Sequence, residues 1–455
     1  MERRCPSHLL LLCSAIAIGM ANFYNDRAEA QPVRGEGQVV TPESGLVRPE
    51  DTGVRAHTHV KLFVPASGLG SVAPPSPSGA AAPGELPPVS GAYYSNTPAS
   101  LACVYGLVPR QSDGCNPYVV TRNPSGGSRA IAVVDAFDAP NAASDLAVFS
   151  AQFGLPTPTS ANFQVIYASA GACTASGTKP AYDSGWEAEA SLDVQWAHAM
   201  APHAKVYLVE AASDGLTDLF AAVAVASQCV AENGGGEVSM SWGFSEFPGE
   251  TAYDSIFTQK SVVYFAGAGD SPGALYPSAS PNVVSVGGTS LVRNPLPWQG
   301  NLGDFKGEVV WNWGPSGGTG GGPSAYEPCP AYQLLIQNMV GSSRGTPDVA
   351  AVADPFTGVW IYDSNFVGWL AVGGTSVSTP VWAGIVNAAG RFHNSTAAEL
   401  AEIYASSAFF EESFGGFTDI TSGACGIGPD FEGLLATEGW DFCSGVGSPL
   451  GYFGK

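Results

Sequence analysis

From residue 130 onward, short runs rich in β-branched and aromatic residues alternate with stretches of helical periodicity, and that alternation narrows the possible folds most. The strand-like runs span 130–135, 163–167, 206–209, 238–241, 262–266 and 283–286, and helical patterns occupy 142–153, 186–200 and 216–231. Strands joined through helices pair in parallel, so the expected class is α/β with a mainly parallel central sheet. Ligands of such folds bind where loops leave the carboxyl ends of the strands. Active-site residues are expected there.

The two ends and the composition add context. Arg3 and Arg4 precede an apolar run over 9–20, and Ala28-Glu29-Ala30 supplies a small-x-small cleavage pattern, so 1–30 reads as a secretory signal peptide. That run is short for a membrane span, and no other stretch approaches roughly 18 uninterrupted apolar residues. Extracellular or periplasmic export is therefore expected, with no membrane partner. A net charge of −22 argues against nucleic acid and anionic membrane surfaces. The stretch 66–90 is almost all Pro, Gly, Ala and Ser and reads as a flexible linker, with order expected from Tyr93 to the end. Beyond the signal segment lie seven cysteines. Cys103 with Cys115, and Cys425 with Cys443, are close enough for local bridges. Cys173, Cys229 and Cys329 remain, and an odd number leaves one thiol unpaired. No Cys-x-x-Cys or Cys/His cluster points to zinc, and the glycine-rich stretch 314–323 lacks the Gly-Lys-Ser/Thr ending of a phosphate cradle.

Three segments carry candidate chemistry. On the helix at 186–200, Glu189 and Asp193 are four residues apart and share one face, where like charges repel unless a proton is shared. Glu187 points about 200° away from Glu189. After the strand-like run 262–266, Gly267-Ala268-Gly269-Asp270-Ser271 presents one carboxyl group, as a turn cap or as an active-site residue. Gly373-Gly374-Thr375-Ser376-Val377-Ser378-Thr379-Pro380 precedes a helical run over 381–389, which makes Ser376 either an N-cap or a nucleophile at a helix amino terminus. Gly287-Gly288-Thr289-Ser290 repeats the letters without the following proline and helix, and is expected to be a turn. A serine nucleophile needs a base. His57, His59, His198, His203 and His393 include none in a His-Gly-Thr-His segment, and His198 is expected on a helix surface. A carboxylate, Glu189, is the available base.

The sequence closely resembles the sedolisin family, serine-carboxyl peptidases with a subtilisin-like fold. The resemblance rests on Glu189-x-x-Leu192-Asp193, Ser241-Trp242-Gly243, Gly269-Asp270-Ser271, Arg344-Gly345-Thr346-Pro347-Asp348, Gly374-Thr375-Ser376 with Pro380, Asp419-Ile420-Thr421-Ser422-Gly423 and Gly439-Trp440-Asp441. It implies a three-layer subtilisin-like domain over 93–455, preceded at 31–92 by a pro-region that is short for the family. It also implies a secreted, monomeric endopeptidase that cuts protein or peptide substrates in acid. Ser376 would be the nucleophile, Glu189 the general base, Asp193 its proton-sharing partner and Asp270 the oxyanion donor. Asp270 must then be protonated, which favours acidic solution. One structural calcium ion is implied, with ligands Asp419, Ile420, Thr437, Gly439 and Asp441; the family usually has glycine at the position of Thr437. Asp135 would be at most a distant member of the acid network. The alternatives are a tripeptidyl-peptidase of the same family, a histidine-dependent subtilisin-like peptidase and an inactive secreted binding protein.

Overall fold

A computed structural model describes residues 29–30, 37–65, 95–109, 114–294, 303–314, 317–366, 368–407, 416–426 and 434–455. The apolar run 9–20, the linker 66–90 and Tyr93 lie outside the described residues.

A two-residue strand, Glu29–Ala30, is followed by β1 (Gly37–Thr41), with which it pairs, and by β2 (His57–Thr58) and β3 (Lys61–Pro65). The central sheet follows, with β4 (Ala130–Ala136), helix α1 (Ala142–Phe153), β5 (Phe163–Tyr167), α2 (Ser184–Met200), β6 (Lys205–Ala211), α3 (Leu216–Glu232) and β7 (Gly236–Met240). Then come β8 (Trp242–Ser245), β9 (Val262–Gly267), β10 (Val284–Arg293), β11 (Phe305–Val310) and β12 (Val349–Val352). A hairpin of β13 (Val359–Asp363) and β14 (Gly368–Gly373) leads into α4 (Thr375–Ala389).

The sheet order is β11-β10-β9-β7-β4-β6-β5, with β12 also paired to β10. Every neighbour is parallel except β11. Helices cover both faces, which explains why the strands read as unbroken apolar runs. Ile131 and Val133 of β4 enter a core with Trp196 of α2 and Val381 of α4, whereas Ala132 and Val134 enter a second core with Val223 of α3. The expected α/β class with a mainly parallel sheet and three layers is the one observed.

Local differences have identifiable causes. Helix α2 starts at Ser184 because the Asp183 side chain accepts from Gly185 N and Trp186 N, both at 3.0 Å. Gly287-Gly288-Thr289-Ser290 is not a turn but the middle of β10. Its glycines admit close neighbours: a Cβ on Gly288 would lie 2.6 Å from Ala353 Cβ. His198 is buried, not on the surface, and its Nε2 pairs with Pro156 O at 2.9 Å. Order also begins well before residue 93. Strands β1 and β3 extend the β13–β14 hairpin into an antiparallel sheet, burying Val39, Leu62 and Phe63. Disulfides join Cys103–Cys115, Cys173–Cys229 and Cys425–Cys443, leaving Cys329 as the free thiol among the described residues.

Candidate active site

The site lies at the carboxyl ends of β4, β7 and β9, where α2 and α4 meet. Gly374, at φ 96°, turns the end of β14 into α4 and sets Ser376 in its first turn. Four residues on, Pro380 has no N–H to donate to the Ser376 carbonyl. That carbonyl instead faces Ser241 Oγ at 3.4 Å, and Ser376 Oγ donates to Ser241 O at 3.3 Å. Ser376 is fully buried.

Helix α2 projects Glu189 and Asp193 from one face into the same place, and both are fully buried. Asp193 Oδ1 accepts from Ser241 Oγ at 2.8 Å, while Glu189 Oε2 accepts from a main-chain amide, Val60 N, at 3.1 Å. Asp135, at the end of β4, is buried without a hydrogen-bond partner among the described residues. Burial, and next the field of Asp135, push the pKa of both Glu189 and Asp193 well above the carboxylate range. Such a group holds its proton, or shares one. Ser376 favours the ionised form of Glu189.

Asp270 follows β9 through Gly269, which has φ 99°. Its Oδ1 accepts from Thr375 N at 2.8 Å and Thr375 Oγ1 at 3.1 Å, so the carboxyl group is fixed beside the residue preceding Ser376. Its Oδ2 lies 3.5 Å from Lys61 Nζ. Burial raises the Asp270 pKa, against the opposing pull of Lys61 and Thr375.

Ser376, Glu189, Asp193 and Asp270 thus converge. The residues absent from the sequence-based list are those of the amino-terminal strand. Residues His57 and Thr58 pair antiparallel with Gly243 and Trp242, His59 N donates to Ser241 O at 3.3 Å, and Lys61 to Phe63 pair antiparallel with Gly373 to Ala371. The run Val60-Lys61-Leu62-Phe63-Val64, β-branched and aromatic, was the available signal.

No family model matches the chain. Kumamolisin of Bacillus sp. (strain MN-32) is 31% identical over 331 residues, which is 67% of this chain and 56% of kumamolisin. Sedolisin of Pseudomonas sp. (strain 101) is 34% identical over 179 residues, 38% of this chain and 28% of that protein. The chain belongs to the sedolisin family. Human tripeptidyl-peptidase 1 is 30% identical over 192 residues, 38% of this chain and 31% of that protein. This sedolisin-family chain thus spans about half the length of kumamolisin, with shorter matches to the others. The fold matches that of Pseudomonas sedolisin, a serine-carboxyl proteinase complexed with two molecules of pseudo-iodotyrostatin, at TM-score 0.62 and 24% identity over 79% of this chain and 96% of that one.

The expected calcium ligands form a separate cluster. Asp419 Oδ2 accepts from Gly439 N at 2.8 Å and Asp441 Oδ2 accepts from Thr437 N at 2.9 Å, so both carboxylates reach one turn. Asp419 Oδ1 is buried and has no partner among the described residues. No group of three or more His, Cys, Asp or Glu side chains suited to a metal occurs among the described residues.

Proposed function

We propose that the chain is a secreted serine-carboxyl endopeptidase that hydrolyses peptide bonds of proteins in acidic solution. The observation that carries this reading is the Val60 amide donating to Glu189 beside Ser376, since a scissile amide must present its nitrogen to the general acid–base group. Ser376 Oγ attacks the carbonyl carbon while Glu189 takes its proton, with Asp193 sharing the charge. The proton then passes from Glu189 to the departing amine, and water resolves the acyl-enzyme by the reverse steps. Asp270 stabilises the oxyanion only when protonated, because an ionised carboxylate would repel it. Activity is therefore present below the Asp270 pKa and lost as pH rises through it. Main-chain pairing on both sides of the Glu189-bound peptide supports internal cleavage over removal of amino-terminal tripeptides. The disulfides support an exported protein.

The test is hydrolysis of denatured protein at about pH 4, where Asp270 would carry its proton. Wild type should cleave and Ser376→Ala should not; equal rates would remove the enzyme reading. Asp419, Asp441 and the carbonyls of Ile420, Thr437 and Gly439 would hold one calcium ion, an all-oxygen set that suits this cation and would satisfy Asp419 Oδ1. A chelator should then lower the melting temperature of wild type and leave that of Asp419→Ala unchanged.

A further inference from the structure

Before the peptide nitrogen that faces Glu189, five residues follow one another along the site. His59 is the first, and its carbonyl lies against Gly374, where any Cβ would overlap it. Its N–H donates to Ser241 O at 3.3 Å. Thr58 and His57, second and third, pair antiparallel with Trp242 and Gly243. Ala56, the fourth, donates its N–H to Asp214 O at 2.9 Å, and Arg55, the fifth, bridges to Gly215. This side of the site therefore has two edges, β8 and the turn 213–215 between β6 and α3. Both hold an extended peptide through its main chain, whatever its side chains are.

The five side chains differ in what they meet. The His59 ring sits against Gly243 and Gly267, with both nitrogens buried and without partners among the described residues. Thr58 Oγ1 pairs with Ser44 Oγ at 2.8 Å, and His57 Nε2 with Asp51 Oδ2 at 2.8 Å, so both find their partners within the amino-terminal segment itself. Ala56 has no polar side chain. Arg55 is the one of the five that forms an ion pair with the body of the domain among the described residues: its Nε donates to Asp214 Oδ2 at 2.7 Å. The guanidinium also lies 3.7 Å from Asp51 and donates to Glu43 O at 3.4 Å, again within its own segment. A separate substrate brings neither Asp51 nor Glu43. Asp214 is the partner that the site itself offers.

The turn holds that carboxylate in place. Ser213 Oγ donates to Asp218 Oδ2 at 2.6 Å in the first turn of α3 and accepts from Gly215 N at 3.2 Å. Asp218 N and Leu219 N both donate to Gly215 O, which starts the helix there. The residues on either side of Asp214 are thus fixed. The Arg55 and Asp214 side chains are 22% and 18% exposed, so water screens their pairing only in part.

We propose that Asp214 selects arginine or lysine at the fifth position before the scissile bond, so that the preferred substrates are extended protein segments with a basic residue there. This rests on the endopeptidase reading above, since an enzyme that removes tripeptides from amino termini has no fifth residue to recognise.

The test uses the full-length chain as wild type, Asp214→Asn and Asp214→Lys, each digesting denatured protein in acidic solution while the new termini are mapped by mass spectrometry. Wild-type cuts should be enriched in Arg and Lys at the fifth position before the bond. Asp214→Asn should lose this enrichment, and Asp214→Lys should turn it into depletion. Two peptides copied from a well-cut site, with Arg or Ala at that position and otherwise identical, measure the effect. In wild type kcat/KM should favour the Arg peptide by about three- to tenfold, between the worth of an exposed ion pair and that of a hydrogen bond to a buried charge. Asp214→Asn should favour neither. An unbiased fifth position in wild type, or the same bias in Asp214→Asn, would overturn the assignment. Release of amino-terminal tripeptides alone would overturn it together with internal cleavage. The digest also separates the two readings: hydrolysis without a basic preference refutes only this proposal, and no hydrolysis by wild type refutes the peptidase reading as well.

Discussion

At Asp270, the proposed mechanism asks one side chain to be both an acceptor for Thr375 and a donor toward substrate. Oδ1 is committed to Thr375 N and Oγ1, so the proton that an oxyanion needs must reside on Oδ2. Burial raises the pKa, but two neighbours, Lys61 and Thr375, pull it back, which leaves a group that titrates with solution pH and is not locked neutral. Asp270→Asn tests this. The amide oxygen can accept from Thr375 as Oδ1 does, and the NH2 group donates at every pH. The alkaline limb of kcat/KM against pH should therefore move upward in Asp270→Asn, whereas Asp270→Ala should lose roughly 10²–10³ in kcat. An alkaline limb that stays in place in Asp270→Asn would mean that another group sets it, with Glu189 and Asp193 the next candidates.

Among the elements, the contact between α2 and α4 matters most, because one helix carries the carboxyl pair and the other the serine. They approach closely at Gly384, where a Cβ would lie 2.6 Å from Met200 Cβ and 3.2 Å from Ala197 O. Helix propensity alone would make Gly384→Ala stabilising by about 1 kcal/mol. Overpacking between two rigid helices costs about 1–3 kcal/mol and opposes it. Gly384→Ala should therefore lower the melting temperature and also reduce kcat, since Ser376 and Glu189 would be moved apart; a rise in melting temperature would show that the helices can yield. The elements of this interface were legible in the sequence. Buried parallel strands give unbroken apolar runs, and the i, i+4 spacing of Glu189 and Asp193 survives folding unchanged. Gly287 and Gly288 were misleading, because a glycine needed for close packing is written with the same letter as one needed for a turn. The run 60–64 marks a strand, but the place of His59, Val60 and Lys61 in the site was not legible. It arises from pairing with residues about 180 and 310 positions away, and no local pattern specifies such partners.

For the whole molecule, the decisive feature is how many carboxyl groups have their pKa raised chiefly by burial. Glu250 and Glu327 are pushed up to about 9 and about 8, by burial first and then by their carboxylate neighbours Glu246 and Asp254. Burial also takes Glu210 and Glu399 to about 8 and Asp363 to about 7. In each case the folded chain binds its proton more tightly than the unfolded chain, in which these groups titrate near about 4. Stability is then fully present below about pH 4 and is lost as pH rises through the folded values, from about 7 to about 9. The net charge of −22 at pH 7 acts in the same direction by self-repulsion. The fold should therefore melt at a higher temperature at about pH 4 than at about pH 8, opposite to a protein whose buried carboxylates are paired with cations. Glu250→Gln isolates one contribution. Its side-chain oxygen can still accept from Phe247 N, as Oε2 does at 2.8 Å, and its NH2 group takes the place of the proton shared with Glu246. Calorimetry should find the melting temperature of Glu250→Gln close to wild type at about pH 4 and above it at about pH 8. Equal melting temperatures at both pH values would mean that Glu250 stays protonated, or is hydrated, across the whole range, and that the acid preference of the fold lies elsewhere.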